Sequence, residues 1–172
     1  TGLSIDPILV YLDNLPNRKG CKKINAAVSN YNGKVNVYYI EPKTITEHKL
    51  PEWVRGCNSV GVPHPTIVSM PEAKKLIINK VVPAYTLDTL LSNNKASGMY
   101  YLKIDTESHD AVIINCFFDE SSRMMYPHKL LFESNCLSNN DDVQRLISRL
   151  ILAGYDLISC QTGGGDTDTM MR

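Results

Sequence analysis

The sequence predicts an α/β fold, with a mostly parallel sheet, helices on both of its faces and an antiparallel hairpin at its C-terminal edge. Two observations predict this fold. Short apolar segments rich in β-branched residues alternate with segments of helical periodicity, which is typical of crossover helices that join parallel strands. The chain then ends with two strand-like segments on either side of the glycine triplet 163–165, and antiparallel edge strands are common on such sheets.

The first half of the chain opens with a strand and a helix. Residues 3–5 predict a strand that stops at Asp6 and Pro7, which suit the N-cap and the first position of a helix. Apolar residues then recur at helical spacing up to Pro16, where we expect the helix to end. Further strands are predicted at 23–28, 34–40 and 76–82, followed by a short helix capped by Thr86.

Residues 41–75 contain five prolines and predict no regular element. Long irregular loops in compact domains usually have a function, such as closing over a ligand. We therefore predict that this segment is an irregular insertion or a lid. The length of 172 residues fits one domain, and we expect residues 1–172 to form it.

The second half of the chain contains the strongest helical pattern. Asn140 begins this helix, apolar residues follow on one face, and Gly154 ends it. One apolar face is typical of a helix that packs on a core, and glycine is common just after a helix C-terminus. The other elements predicted here are a strand at 99–104, a helix or strand at 110–118, and strands at 129–132, 155–160 and 167–171.

Composition excludes several classes of function. The 18 Lys and Arg are balanced by 18 Asp and Glu, so bulk charge predicts no nucleic-acid partner. No apolar run approaches the roughly 18 residues that a membrane span needs, and the opening residues lack the pattern of a signal peptide. We therefore expect no membrane partner, and the sequence predicts no particular oligomeric state.

The cysteines indicate a reducing compartment. There are five, at positions 21, 57, 116, 136 and 160, and no two form a CxxC pair. This pattern fits neither a disulfide framework nor a structural zinc site. We predict free thiols and a cytoplasmic protein, with a nucleophilic cysteine as the alternative.

Three carboxylates lie where a predicted strand ends: Asp6, Asp105 and Glu133. Ligands of open α/β sheets bind beyond the carboxyl ends of the strands. If these strands are parallel neighbours, all three side chains project into one crevice. The alternative for each acid is a helix N-cap or a solvated loop end.

The densest polar cluster is Asp105, Glu107, His109 and Asp110. Two carboxylates and an imidazole at this spacing could bind a divalent cation through oxygen or form an acid–base set. His109 is the natural proton acceptor, and we expect nearby carboxylates to raise its pKa. The alternative is a polar loop whose acids favour the N-terminus of the next helix.

The string YLKIDTESHD at 101–110 resembles the LKIDxEGHE signature of FkbM-type S-adenosylmethionine-dependent methyltransferases. Further segments resemble the family in the same order. They are 4–7 at the end of its second strand, 24–33 as its NAAVSD…G segment, 82–91 as its VPxxTLDxLL segment, 130–133 as its ilfE strand, and 154–155 as the GY before its sixth strand.

This resemblance implies a Rossmann-like methyltransferase sheet and methyl transfer from S-adenosylmethionine, usually to an oxygen of a sugar or other small metabolite. In that family fold the acid after the second strand binds the ribose hydroxyls, which implies this role for Asp6. Asn25 and Ala26 would lie beside the adenine. Asp105 would face the methionine end of the cofactor and the acceptor, with Glu107 and His109 on the acceptor side as catalytic residues.

The chain departs from the family pattern in three places. Ser108 replaces a glycine of the signature and Asp110 replaces its last glutamate. The family's first strand and its Gly-rich turn are not found before Asp6, so we expect upstream residues to complete an N-terminally incomplete domain. A glycine that needs positive φ would make Ser108 unfavourable.

These observations predict an S-adenosylmethionine-dependent O-methyltransferase. His109 or a carboxylate would remove the acceptor proton, and a divalent cation could orient the acceptor hydroxyl. The first alternative is a non-catalytic methyltransferase-like module for binding or assembly, suggested by Ser108 and the missing strand. A metal-dependent hydrolase built on the same carboxylates is the second alternative.

Overall fold

The computed structural model describes residues 1–121, 123–134, 138–163 and 166–172. The chain divides into two compact units, Thr1–Tyr85 and Thr86–Arg172. Each unit contains both helices and strands, so the prediction of a mixed α/β protein is confirmed. That residues 1–172 form a single domain stays a prediction.

The first unit begins with a parallel pair of strands. Strand β1 (Gly2–Ile5) pairs with β2 (Cys21–Ile24), and helix α1 (Leu9–Asn14) connects them. The predicted strand 23–28 is interrupted after β2, because the chain leaves this sheet and joins a second one as the short strand β3 (Ala27–Val28).

The second sheet of this unit is mixed. It contains β3, β4 (Gly33–Tyr39), β5 (Ser59–Val60) and β6 (Ile78–Tyr85) in the order β3-β6-β4-β5. Strand β6 is parallel to β3 and antiparallel to β4. Alternating residues of β4 and β6 point into the core, with Val37 and Ala84 fully buried, as expected for a sheet with one covered face.

The segment 41–75 is not irregular, which corrects the prediction. It contains α2 (Pro42–Glu47), a 3₁₀ helix (Glu52–Gly56), β5, α3 (Pro65–Ser69) and α4 (Pro71–Lys74). The five prolines predicted an irregular segment, but three of them occupy the first turn of a helix, where the missing N–H costs nothing. Ile45, Val54 and Ile67 form a small core for the segment. That it acts as a lid stays a prediction.

The second unit contains one four-stranded sheet. Its elements are α5 (Leu87–Asn93), β7 (Tyr101–Ile104), α6 (Asp110–Glu120), β8 (Lys129–Glu133), α7 (Asn140–Leu152), β9 (Leu157–Gly163) and β10 (Asp166–Met171). The strand order is β7-β8-β10-β9. The predicted antiparallel C-terminal edge hairpin is confirmed by β9 and β10. The glycine turn predicted at 163–165 includes residues 164 and 165, which lie outside the described part of the chain.

Local signals position the helices of this unit as the sequence predicted. Thr86 caps α5, and its Oγ1 accepts a hydrogen bond from the Thr89 N–H at 3.2 Å. The Oδ1 atom of Asn139 accepts from the first N–H groups of α7, and the chain leaves the helix through Gly154 at φ +98°. The segment 110–118, which predicted a helix or a strand, is part of helix α6.

The prediction of a mostly parallel sheet is wrong. Among the described strands, the pairs β1–β2, β3–β6 and β7–β8 are parallel, and β4–β5, β4–β6, β8–β10 and β9–β10 are antiparallel. Alternation of helices and strands does not specify strand direction, because short helices also lie between antiparallel neighbours, as they do between β4 and β6.

Two other sequence predictions concern the whole chain. No helix of the described residues is long and apolar enough to cross a membrane. Cys21, Cys57 and Cys116 are free thiols, as predicted. Cys136 and the side chain of Cys160 lie outside what the structure describes.

Candidate active site and cofactor-binding residues

Three carboxylates meet at the carboxyl end of the parallel pair β7–β8. The register places Ile104 beside Phe132, so the next residues, Asp105 just beyond β7 and Glu133 at the end of β8, follow side by side. One oxygen each of Asp105, Glu107 and Glu133 lies within 4.8 Å of the others. We call these three residues the acid cluster. The strand-end reasoning therefore correctly brought Asp105 and Glu133 together.

The environment of the acid cluster differs from residue to residue. Asp105 is exposed, whereas Glu133 is buried, with 7% of its surface accessible. The Nζ atom of Lys103 lies 2.9 Å from Oδ2 of Asp105. This hydrogen bond is the main reason that the pKa of Lys103 is raised, and the field of Asp168, opposite Glu133 on β10, adds to the effect. A lysine therefore already offsets part of the negative charge.

Asp110, the first residue of α6, is fully buried and hydrogen-bonded on both carboxylate oxygens. Its Oδ1 accepts from the N–H of Thr106 at 2.8 Å and from the Thr106 hydroxyl. Its Oδ2 accepts from the N–H of Glu133 at 2.8 Å. Burial raises the pKa of Asp110 and these hydrogen bonds oppose the shift. One side chain thus connects the turn after β7 to the end of β8.

The turn between β7 and α6, residues 105–109, contains two consecutive residues in the left-handed region. We call it the acid turn. Glu107 has φ +53° and Ser108 has φ +87°. Residues that carry a Cβ atom have a steric cost in this region, and glycine does not. The family signature has glycine at the second of these positions, and the structure shows that this position has positive φ. Ser108 adopts the same conformation with a Cβ atom.

His109 precedes α6 as its N-cap residue and is half-buried. It does not belong to the acid cluster. We predicted that neighbouring carboxylates would raise its pKa, and this direction is wrong: burial lowers the pKa of His109. Desolvation of the imidazole disfavours its charged form, so the neutral form predominates near pH 7.

The first unit places Asp6 and Asn25 together at the carboxyl end of the parallel pair β1–β2. Oδ1 of Asp6 accepts from the N–H of Ile8 at 2.7 Å, and the Asn25 side chain donates to the Asp6 carbonyl oxygen at 3.0 Å. Burial raises the pKa of the Asp6 carboxyl, and the Ile8 hydrogen bond opposes that shift. The predicted N-cap position is two residues off, since α1 begins at Leu9.

Ala26 and Asn25 differ in what they can offer a ligand. Asn25 is exposed, whereas the side chain of Ala26 is 1% exposed and belongs to the interior. Ala26 is buried as a whole, backbone included, and so exposes almost no surface to a cofactor. The prediction that Asp6 shares a crevice with Asp105 and Glu133 stays a prediction, since Asp6 belongs to the other unit.

Sequence reasoning underrated two residues of this region. Glu133 was noticed as a strand-end acid but given no role, and Asp110 was treated only as a member of the polar cluster. The register of β7 and β8 shows the importance of Glu133, because it places this residue beside Asp105. The importance of Asp110 could not be found from spacing, because the contact between Asp110 and Glu133 spans 23 residues.

The parallel strand pairs β1–β2 and β7–β8 both place acidic side chains at their carboxyl ends, and ligands of open α/β sheets bind at this edge. A family model described as Methyltransferase FkbM domain matches residues 3–122, more than two thirds of the chain. The chain belongs to this family of methyltransferase domains. No curated protein and no solved structure matches it significantly.

Proposed function

We propose that this protein is an S-adenosylmethionine-dependent O-methyltransferase that acts on a hydroxyl of a sugar or other small metabolite. The family match carries the proposal, because it spans residues 3–122 and thus both Asp6 and the acid turn. In this proposal Asp6 binds the ribose hydroxyls, and Asn25 lies beside the adenine, with the buried Ala26 next to it in the chain. Asp105 faces the methionine end and the acceptor.

The residues of the first unit fit the adenosine part of such a cofactor. Asp6 uses Oδ1 to hold the N–H of Ile8, and the structure gives its Oδ2 no hydrogen bond within the described residues. A carboxylate oxygen fixed in this way is a strong acceptor for a ribose hydroxyl. Asn25 is exposed next to it and carries both a donor and an acceptor.

The second unit supplies groups for the acceptor. When bound, S-adenosylmethionine supplies an electrophilic methyl group. His109 is half-buried and its pKa is lowered, so at neutral pH its imidazole is mostly unprotonated and able to accept the acceptor's proton. Glu107 and Asp105 are the alternative bases, because both are ionisable and lie at the same turn.

A divalent cation is an optional part of this proposal. The acid cluster offers three carboxylate oxygens within 4.8 Å, and oxygen is the ligand type that Mg²⁺ and Ca²⁺ prefer. Asp105, Glu107 and Glu133 would hold the ion, which would lower the pKa of a bound hydroxyl. Turnover measured with and without a chelator tests this part separately.

Calorimetry with S-adenosylhomocysteine on the chain of residues 1–172 is the first test. We expect saturable one-to-one binding. Absence of binding by a folded chain would contradict the proposal and favour a non-catalytic methyltransferase-like module, for which Ser108 in place of the signature glycine is the supporting observation.

Transfer of a labelled methyl group to a panel of sugars and small hydroxylated metabolites is the second test. We expect His109→Ala and Asp105→Asn each to lower turnover about 100-fold, as general-base and positioning contributions usually do. His48→Ala, a change at an exposed histidine of α2's C-terminus, is the control. Unchanged turnover in both variants would overturn the assigned roles while leaving the cofactor proposal to the calorimetry.

A further inference from the structure

Asp110 differs from the other acids of the second unit in its surroundings. The acid cluster has an exposed, an intermediate and a buried member, whereas Asp110 is fully buried at the start of α6. Burying an ionisable group is costly unless each of its oxygens is hydrogen-bonded. Both oxygens of Asp110 are bonded, and the partners come from two separate segments.

These partners are the segments that carry the acid cluster. Thr106 lies between Asp105 and Glu107 and gives Asp110 two hydrogen bonds. The Glu133 peptide N–H gives a third, at 2.8 Å. Any displacement of the turn relative to the end of β8 must therefore lengthen one of these bonds.

The acid turn also needs an external restraint. Glu107 and Ser108 both have positive φ, and such conformations persist only where surrounding contacts hold them. The bonds from Asp110 to Thr106 close the turn on its N-terminal side, and the helix that begins at Asp110 closes it on the other. The strained geometry and the buried carboxylate are thus linked.

We propose that Asp110 is a positioning residue of the candidate active site. Its carboxylate ties the acid turn to the end of β8 and so sets the spacing of the acid cluster. Because turnover is one of its readouts, this role rests on the proposed function. Asp110 itself touches no reacting atom; it acts through Thr106 and Glu133.

Asp110→Asn is the informative variant, because it keeps the shape and removes one acceptor. Whichever way the amide is turned, its NH₂ group faces a donor of Thr106 or of Glu133. Asp119→Asn is the matched control: it makes the same change on the same helix, at an exposed side chain paired with Arg149. Thr106→Val removes only the hydroxyl bond and serves as a milder second variant if Asp110→Asn folds poorly.

Hydrogen exchange of the Thr106 and Glu133 amides, monitored by NMR, tests the restraint independently of enzymatic activity. We expect exchange at both amides to accelerate about tenfold or more in Asp110→Asn, less in Thr106→Val, and not in Asp119→Asn. Unchanged exchange at both sites in Asp110→Asn would overturn the proposal, whatever the enzyme does.

Kinetics separate a positioning role from a general loss of structure. Asp110→Asn should lower kcat by about 10- to 100-fold, the usual cost of a small misplacement, and change the affinity for S-adenosylhomocysteine by less than about threefold. Adding Ser108→Gly should restore part of the lost kcat, because glycine adopts positive φ without steric strain and so needs fewer contacts to keep the turn's geometry. Equal losses of kcat and affinity, with no recovery, would indicate a merely structural residue and overturn the proposal.

The two hypotheses fail in different ways. A wild-type chain that neither binds S-adenosylhomocysteine nor transfers methyl groups would overturn the proposed function, and the role of Asp110 in turnover with it. An active wild type combined with full kcat in Asp110→Asn would overturn the positioning role alone.

Discussion

The two parallel strand pairs β1–β2 and β7–β8 both end in an aspartate, but they use it differently. At the first pair, Asp6 itself accepts the N–H of Ile8 and so shapes the turn into α1. At the second pair, the corresponding structural work is done by the buried Asp110, five residues further on. Asp105 itself is exposed and contacts Lys103. Separating the structural acid from the exposed one allows several carboxylates to gather at one strand end.

The two units also differ in charge. The first, residues 1–85, contains 11 Lys and Arg against 6 Asp and Glu, whereas the second, residues 86–172, contains 7 against 12. The zero net charge of the chain conceals this asymmetry. The acid cluster thus lies in a unit of negative net charge, which favours cationic groups near it.

The largest expected effect concerns whether the two units unfold together. Phe132→Ala in β8 and Ile45→Ala in α2 remove fully buried side chains, and each should lower the free energy of unfolding by about 2–5 kcal/mol. If residues 1–172 form a single domain, both variants shift one common transition in urea. Leu152→Ala, at an 86% exposed side chain, should change stability by less than about 0.5 kcal/mol. Two separate transitions, each moved by one variant, would contradict the single domain.

The next effect distinguishes the two strand-end aspartates. Asp6→Asn keeps an acceptor for the Ile8 N–H but loses the charge, so we expect affinity for S-adenosylhomocysteine to fall about 10- to 100-fold, as for a lost charged hydrogen bond. Asp105→Asn should reduce the affinity less than Asp6→Asn. Asp13→Asn on the exposed face of α1 should leave calorimetric affinity unchanged. A smaller loss in Asp6→Asn than in Asp105→Asn would reverse the roles of the two strand ends.

A smaller effect is expected in the acid turn. Ser108→Gly should raise the free energy of unfolding by about 1 kcal/mol, since glycine avoids the steric cost of φ +87°. Ser92→Gly in α5 is the same substitution in a right-handed helix and should instead lower stability by about 0.5 kcal/mol. Denaturant unfolding of both variants gives the comparison. Equal signs for the two would show that the turn is not strained at Ser108.

The smallest effect is the pH dependence contributed by two histidines, the buried His64 in the first unit and the half-buried His109 in the second. Nδ1 of His64 caps α3 by accepting the Thr66 N–H at 3.2 Å, and burial lowers the pKa of His64 below 6.5, as it does for His109. At these two residues the unfolded chain then binds more protons than the folded chain below about pH 6.5, so their contribution to stability falls as pH drops from 7 to 5.

His64→Asn supplies an acceptor that does not titrate, and it should flatten part of this slope in denaturant unfolding at several pH values. His48→Asn, at an exposed position, should leave the slope as in the wild type. A slope unaffected by His64→Asn would show that His64 does not contribute to it.

Local signals were sufficient for much of the secondary structure. The cap at Thr86, the helix closed by Gly154 and the C-terminal hairpin all follow from residue types at fixed offsets. The interpretation of residues 41–75 failed, because proline both breaks helices and begins them. The prediction of mostly parallel strands was wrong for a related reason, because a short helix between two strands permits either orientation.

The candidate site was predicted in part. The strand-end rule brought Asp105 and Glu133 together correctly. In the parallel pair, Ile104 lies beside Phe132, so the residues that follow them are also neighbours. The pKa of His109 was predicted in the wrong direction, because burial cannot be judged from neighbouring sequence.

The sequence by itself determined the family, the mixed α/β composition, the positions of most helices and the acids at the strand ends, because these depend on residue type and local spacing. Only the tertiary structure decided the mixed direction of the strands, the burial of Glu133 and Asp110, and the left-handed turn at Ser108. These properties depend on which distant segments meet. The 2.8 Å hydrogen bond between the Glu133 N–H and Asp110 is the clearest case.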